Sequence, residues 1–265
     1  MRLTANVQTR QRREQILERL DADRFASVND LAQALQVSPS TVRRDLQQLG
    51  ATGELRRTHG GAVLLDRGAD RTSDGALEHP YATTAQADAD LKAAVGRAAA
   101  ALVPDGAVVA LDIGTTTPLV ARHLAGRPVT VITSNLAVLD ELRDDPAVDL
   151  VLLGGSVRRN FQTLVGALTL QALASISCDV AVLSCTGVRP DGRVVDDMSV
   201  EAPTKEGLLA AATQTVLLAS HAKFPGTGSL QTTSLDAVDV LVTTQGAPQE
   251  ALDRVTAAGG RVVVA

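Results

Sequence analysis

Apolar positions in residues 10–20 (RQRREQILERL) fall at Ile16, Leu17 and Leu20, with arginine and glutamate elsewhere. That spacing predicts one face of a helix. The pattern breaks over Asp21–Arg24. Ser27 then stands three residues before Asp30, a variant of the capping box, and Leu31, Ala34 and Leu35 give a short second helix its apolar face. Ser38 is a good N-cap and Pro39 suits the first helical position. The third helix carries its apolar face at Val42, Leu46 and Leu49 and is expected to stop near Gly50. Two short helices separated by a few residues make a helix-turn-helix. Glu54–Val63 follows as a two-stranded wing.

The pattern changes along the rest of the chain. Residues 66–88 have no clear period and are rich in Gly, Ala, Asp and Thr, which predicts a linker that partly packs. Continuous Val/Leu/Ile runs then recur at 107–112, 129–132, 148–153, 180–183, 215–219, 239–244 and 261–265. Amphipathic stretches separate them: LKAAVGRAAAALV, PLVARHL, LAVLDELR, TLQALASI, KEGLLAAAT and PQEALDRVTAAG. Unbroken apolar strands are buried on both faces, so the fold class is α/β, with a parallel sheet covered by helices. The expected domains are a winged helix-turn-helix over 1–65, a linker over 66–88 and an α/β body over 89–265.

Composition adds little to the fold and more to the partners. The 265 residues are 45% hydrophobic and 21% charged, an ordinary globular balance. Aromatics number four (Tyr81, Phe25, Phe161 and Phe224), too few for a platform that stacks single-stranded bases. The net charge of −5 hides an asymmetry. Residues 1–60 hold ten arginines against seven acids, and the remainder holds 15 cations against 23 acids. A basic head on an acidic body fits a nucleic-acid module joined to something else. Cys178 and Cys185, if joined by one strand, would lie about 23 Å apart, beyond disulfide reach, and this fits a reducing compartment. Without nearby histidines they make no zinc site, so no metal and no cofactor is expected. Basic Met1–Arg13 has no apolar run behind it and no stretch is long enough to span a bilayer, so no membrane partner and a cytoplasmic location are expected.

The polar face of the third helix carries the first candidate chemistry. Ser40, Thr41, Arg43 and Arg44 occupy its first two turns, where recognition helices meet base edges in double-stranded DNA. Arginine can grip guanine bidentately, and Ser38, Ser40 and Thr41 can reach bases or phosphate. Arg56, Arg57 and His59 of the wing would reach phosphates or the minor groove. Arg10, Arg12, Arg13 and Arg19 read instead as solvated.

The second candidate site follows from strand ends. In parallel sheets ligands bind beyond the carboxyl ends of strands. Asp112-Ile-Gly114-Thr115-Thr116-Thr117 leads from a strand into a helix, where backbone N–H groups and the helix dipole favour an anion. Ser134 and Asn135 follow the next strand, and Gly154 and Gly155 the one after, where missing side chains would let a ligand approach the backbone. Lys205 at a helix start and Lys223 at a strand end could supply cations. Asp196-Asp197 reads as a solvated loop, and Cys185 as a small strand-end residue.

The run SPSTVRRDLQQLGATGELRRTHGGAVL closely resembles the winged helix-turn-helix of the DeoR family of bacterial sugar-metabolism regulators, over about residues 10–65. Residues 75–250 resemble that family's effector domain, which is related to ribose-5-phosphate isomerase and glucosamine-6-phosphate deaminase. Asp112-Ile-Gly-Thr-Thr-Thr matches its phosphate loop, and Leu152-Leu-Gly-Gly155, Leu164-Val-Gly166 and Glu201-Ala…Lys205 match further segments. The resemblance implies a phosphorylated-sugar effector and a repressor. Ser220-His221-Ala222-Lys223-Phe224 departs from it by lacking the family's leading acid, and Pro80-Tyr81 lacks the arginine that commonly follows; both bear on the ligand class. The expected function is therefore an effector-controlled DNA-binding regulator, a homo-oligomer (dimer or tetramer) because one module covers a half-site. An isomerase-like enzyme using Asp112, Glu201 or Asp197, and constitutive DNA binding with a degenerate body, are the alternatives.

Overall fold

A computed structural model describes residues 12–13, 15–17, 19–20, 25–51, 55–57, 61–64 and 81–265. The chain divides into two compact units, Met1–Arg71 and Thr72–Ala265.

In the first unit, helical residues 12, 13, 15–17, 19 and 20 form α1. Then come β1 (Phe25–Ser27), α2 (Val28–Ala34), α3 (Pro39–Ala51), β2 (Leu55–Arg57) and β3 (Gly61–Leu64). The Ser27 hydroxyl accepts from the Asp30 N–H at 3.1 Å and caps α2. The Ser38 hydroxyl accepts from the Thr41 N–H at 3.2 Å, satisfying one of the donors that a helix start leaves open. Ile16, Leu20, Leu31, Val42, Leu46, Leu49 and Leu55 bury together, so the apolar spacing of three helices converges on one small core. The strands pair antiparallel in the order β1-β3-β2. The wing expected as two strands thus has a third, β1, whose three residues precede α2 and carry too short a pattern to announce themselves.

In the second unit all seven predicted runs become strands of one parallel sheet, ordered β15-β14-β12-β9-β4-β5-β6. They are β4 (Val108–Leu111), β5 (Thr130–Thr133), β6 (Asp149–Leu152), β9 (Cys178–Ser184), β12 (Ala212–Leu218), β14 (Val240–Thr243) and β15 (Arg261–Val264). The helices are α4 (Tyr81–Gln86), α5 (Ala89–Ala100), α6 (Thr117–Leu124), α7 (Leu136–Leu142), α8 (Ala167–Leu173), α9 (Ala202–Ala211) and α10 (Gln249–Ala257). Alternate residues of each central strand enter different cores. Val109, Leu111 and Val182 pack with Val95, Val120 and Val138 of α5, α6 and α7. Ala110, Ala181 and Leu183 pack with Leu173, Leu208 and Val255 of α8, α9 and α10. Covering both faces is why these strands read as unbroken apolar runs. Among the described residues no helix is long and apolar enough to cross a membrane.

Strand order locates the crevice. From β4 the chain steps outward to β5 and β6, then returns to β9 on the other side of β4 and steps the opposite way to β12, β14 and β15. The order therefore reverses between β4 and β9, the point where open parallel sheets leave room for a ligand. Two excursions from this sheet were not expected. One is the hairpin β7 (Ser156–Arg158) with β8 (Thr163–Val165). The other is a small antiparallel sheet of β10 (Gly187–Val188), β11 (Arg193–Asp196) and β13 (Leu230–Ser234). The segment expected as linker ends in α4, within the second unit.

Candidate functional site

On α3, Val42, Leu46 and Leu49 are buried, while Ser38, Ser40, Arg43 and Arg44 are exposed and Thr41 is half-buried. The Ser38 hydroxyl also bonds the Ser40 and Thr41 hydroxyls, at 2.7 and 2.8 Å. Among the described residues, Arg43 and Arg44 meet no carboxylate. Asp45, one residue further, behaves oppositely. It is buried, and Arg12 and Arg13 of α1 pair with its two oxygens at 2.6 and 3.1 Å. Arg12 and Arg13 are therefore structural rather than solvated, and they clamp α1 to the helix that carries the exposed arginines. Arg56 and Arg57 lie on β2, their side chains outside the described residues, and His59 lies outside them altogether.

In the body a cavity of about 480 Å³ opens beside the strand-order reversal. Gly114, Thr115, Thr116, Lys205 and Lys223, candidates from the sequence, line it. Gly114 has φ +116°, and a Cβ there would meet the Ser184 hydroxyl at 2.8 Å, so the turn requires glycine. Among the described residues the N–H groups of Gly114, Thr115 and Thr116 meet no acceptor. They precede α6, where an anion is favoured.

The other expected residues do not line the cavity; they hold the loop from behind. Thr117 donates to the Asp112 carbonyl at 2.6 Å. Asn135 donates to the carbonyls of Asp112 and Gly114 at 3.3 and 2.9 Å, and caps α7 through Ala137 N–H at 3.0 Å. Ser134 is buried alongside. Gly154 and Gly155 are a correction. Neither lines the cavity: at Gly155 a Cβ would meet Thr169 Oγ1 and the Val165 carbonyl, and Thr169 donates to the Gly154 carbonyl. The close approach that glycine permits is spent on β8 and α8.

Beneath the loop lies a charge network. Lys205 donates to Asp112 and to the Ser184 carbonyl, and lies 3.4 Å from Asp196. Asp112 also accepts from the Ser184 N–H at 3.0 Å, which ties the ends of β4 and β9 together. Lys205, Asp112 and Asp196 are all buried, so the loop reading of Asp196 is corrected: it ends β11 inside the body. Burial pulls the Lys205 ammonium down, but Asp112, Asp196 and Glu201 together hold it above the ordinary lysine value. Burial raises the Asp112 carboxyl against the pull of Lys205. Glu201 is pushed up to about 7 by burial, against Arg158 and Lys205, which favour its charge. Arg158 reaches it at 2.6 Å and lies over the Phe161 ring, 4.3 Å from its centroid. The Cys185 thiol, also on the wall, is pushed up to about 12 by burial.

Tyr81, Thr84, Phe161, Thr163, Asp197 and Met198 line the cavity without having been anticipated as ligand residues. They come from α4, from the turn of the β7–β8 hairpin and the start of β8, and from the segment after β11. The signal available was Phe161 and Tyr81 themselves, outside the apolar runs of an aromatic-poor chain. His221 faces away, its Nδ1 2.8 Å from the Thr244 hydroxyl.

Residues 12–68 match the model of the DeoR-like helix-turn-helix domain, and residues 87–245 match the DeoR C-terminal sensor domain. The chain belongs to the DeoR family. Similar proteins include the glycerol-3-phosphate regulon repressor of Haemophilus influenzae, 30% identical over 88% of each chain. The HTH-type transcriptional repressor GlcR of Bacillus subtilis is 30% identical over 86% of this chain and 85% of its own. The L-fucose operon activator of Escherichia coli is 30% identical over 80% of this chain and 85% of its own. A ribose 5-phosphate isomerase from Methanocaldococcus jannaschii shares 20% identity and a TM-score of 0.39 over 51% of this chain and 54% of its own. As a DeoR-family protein the chain is a DNA-binding transcription regulator, not an enzyme.

Proposed function

We propose that this DeoR-family regulator represses a carbohydrate-metabolism operon and is released by a phosphorylated sugar or a similar anionic metabolite. The observation that carries the DNA half is α3: one face is locked into the core, and Ser40, Arg43 and Arg44 stand exposed on the other. Arg43 and Arg44 would read base edges, Ser38 would hold the helix start, and Arg56, Arg57 and His59 of the wing would contact phosphate. One such module covers a half-site, so the working form is a homo-oligomer, dimer or tetramer, in the cytoplasm. The Gly114–Thr116 loop supports the effector half, because its N–H groups lie open at a helix start with Lys205 and Lys223 on the same wall. Lys205 is committed to Asp112 and Asp196, and Lys223 is the more exposed of the two. Ligand binding would shift the balance between DNA-competent and incompetent arrangements by its differential affinity for the two.

The test is operator binding by the full chain across salt concentrations. R43A/R44A lowers affinity and flattens the salt slope, since each lost phosphate or base cation releases fewer counterions. Unchanged affinity and slope would remove α3 from the interface. A sugar-phosphate panel then raises the Tm of the wild type and weakens operator binding, and Thr116→Val together with Lys223→Ala abolishes both responses.

A further inference from the structure

The cavity contains more than an anion site. The chain has one tyrosine and three phenylalanines, and Tyr81 and Phe161 both line this cavity. They stand together: the Tyr81 N–H donates to the carbonyl of Asn160, the residue before Phe161, at 2.9 Å. Each is only half-buried. Phe161 is held in orientation by Arg158, whose guanidinium stacks on the ring and is itself pinned by Glu201. Burial first, then the charges of Glu141 and Asp140 on α7, raise the pKa of the Tyr81 hydroxyl, with Arg122 of α6 opposing.

Two aromatic rings in the same cavity as a phosphate-type loop suit a ligand with a flat apolar face. A sugar in its closed ring has one, formed by C–H groups that carry partial positive charge and pack on the negative face of a π system. An open-chain polyol phosphate has no such face. It also loses several more rotors on binding, each opposing affinity. Resting on the effector reading above, the geometry points to a ring-form sugar phosphate as the ligand, with Tyr81 and Phe161 discriminating it from open-chain polyol phosphates.

The test measures calorimetric affinity of the full-length wild type for matched pairs. The methyl glycoside 6-phosphates of glucose, galactose and mannose, and methyl ribofuranoside 5-phosphate, are locked as rings. Sorbitol, galactitol, mannitol and ribitol phosphates are their open-chain counterparts, with glycerol 3-phosphate and inorganic phosphate alongside. At least one locked ring binds tenfold or more tighter than its alditol. The gap falls below threefold in Tyr81→Leu and in Phe161→Leu, which keep bulk and remove the π face, and it persists in Tyr81→Phe. Alditol phosphates or glycerol 3-phosphate binding as tightly as the rings, or a gap that survives both leucine variants, overturns the ring preference and leaves the anion site standing. Failure of every phosphate to bind overturns both.

Discussion

Two groups of cations in this chain do opposite work. Arg43 and Arg44 are exposed on a helix whose fold is secured by other residues. Lys205 and Arg158 are buried and committed to Asp112, Asp196 and Glu201. A side chain that the fold does not use is free to be chosen by DNA. A side chain in the cavity network must satisfy the fold first and shape the ligand site through it. Substitutions should therefore separate binding from stability on α3 and confound them in the body.

The sharpest break between the regions is expected at Lys205. Lys205→Met leaves Asp112 and Asp196 buried without their cation, a loss of about 3–5 kcal/mol in chemical denaturation. Adding Asp112→Asn recovers part of it. A Lys205→Met protein as stable as wild type would mean that the network is not holding β4 to β9.

A pH experiment probes the same network. Glu201 titrates near pH 7 in the folded chain, against an ordinary glutamate value of 4.5. The native state keeps a proton that the unfolded chain has lost, so the contribution is fully present below about 4.5 and disappears as pH rises through about 7. The stability difference between wild type and Glu201→Gln should therefore move against the wild type over that window, by up to about 3 kcal/mol. A flat difference would show that Arg158 keeps Glu201 charged throughout.

At the exposed arginines of α3 the effects should fall on DNA alone. Arg43→Ala is expected to weaken operator binding by about 1–3 kcal/mol while stability stays within about 0.5 kcal/mol. Asp45→Ala reverses this order, because it unlocks Arg12 and Arg13 and loosens the helix before it touches any base. The smallest effect belongs to Ser38→Ala, which removes the cap of α3 and lowers the Tm by the equivalent of about 1 kcal/mol.

The same contrast governs what could be read without a structure. The seven parallel strands were legible as unbroken apolar runs, which burial on both faces explains for the inner strands, while the edge strands β6 and β15 keep exposed valine and leucine. The Gly114–Thr116 loop was legible because hydroxyls, glycine and a helix start coincide in one short segment. Asn135 and Gly155 were placed on the wrong side of that loop. Strand ends identify an edge, but which ends face the crevice depends on strand order, a non-local property. Thr163 and Asp196 arrive from three- and four-residue strands and Phe161 from the turn before one, segments whose composition carries no period. Arg12 and Arg13 looked solvated because their partner, Asp45, lies 33 and 32 residues away.

The buried charges also decide what the cavity does to a carbonyl. Sugars expose an aldehyde or ketone whenever the ring opens, and amines and thiolates attack such carbons. Here the Lys205 nitrogen is kept as an ammonium by Asp112 and Asp196, and the Cys185 sulfur, at about 12, stays a thiol. Neither has a free electron pair to offer as an amine or thiolate would. An electrophile entering the cavity therefore meets no armed nucleophile from these two residues, which suits the reversible signal that the proposed effector role requires.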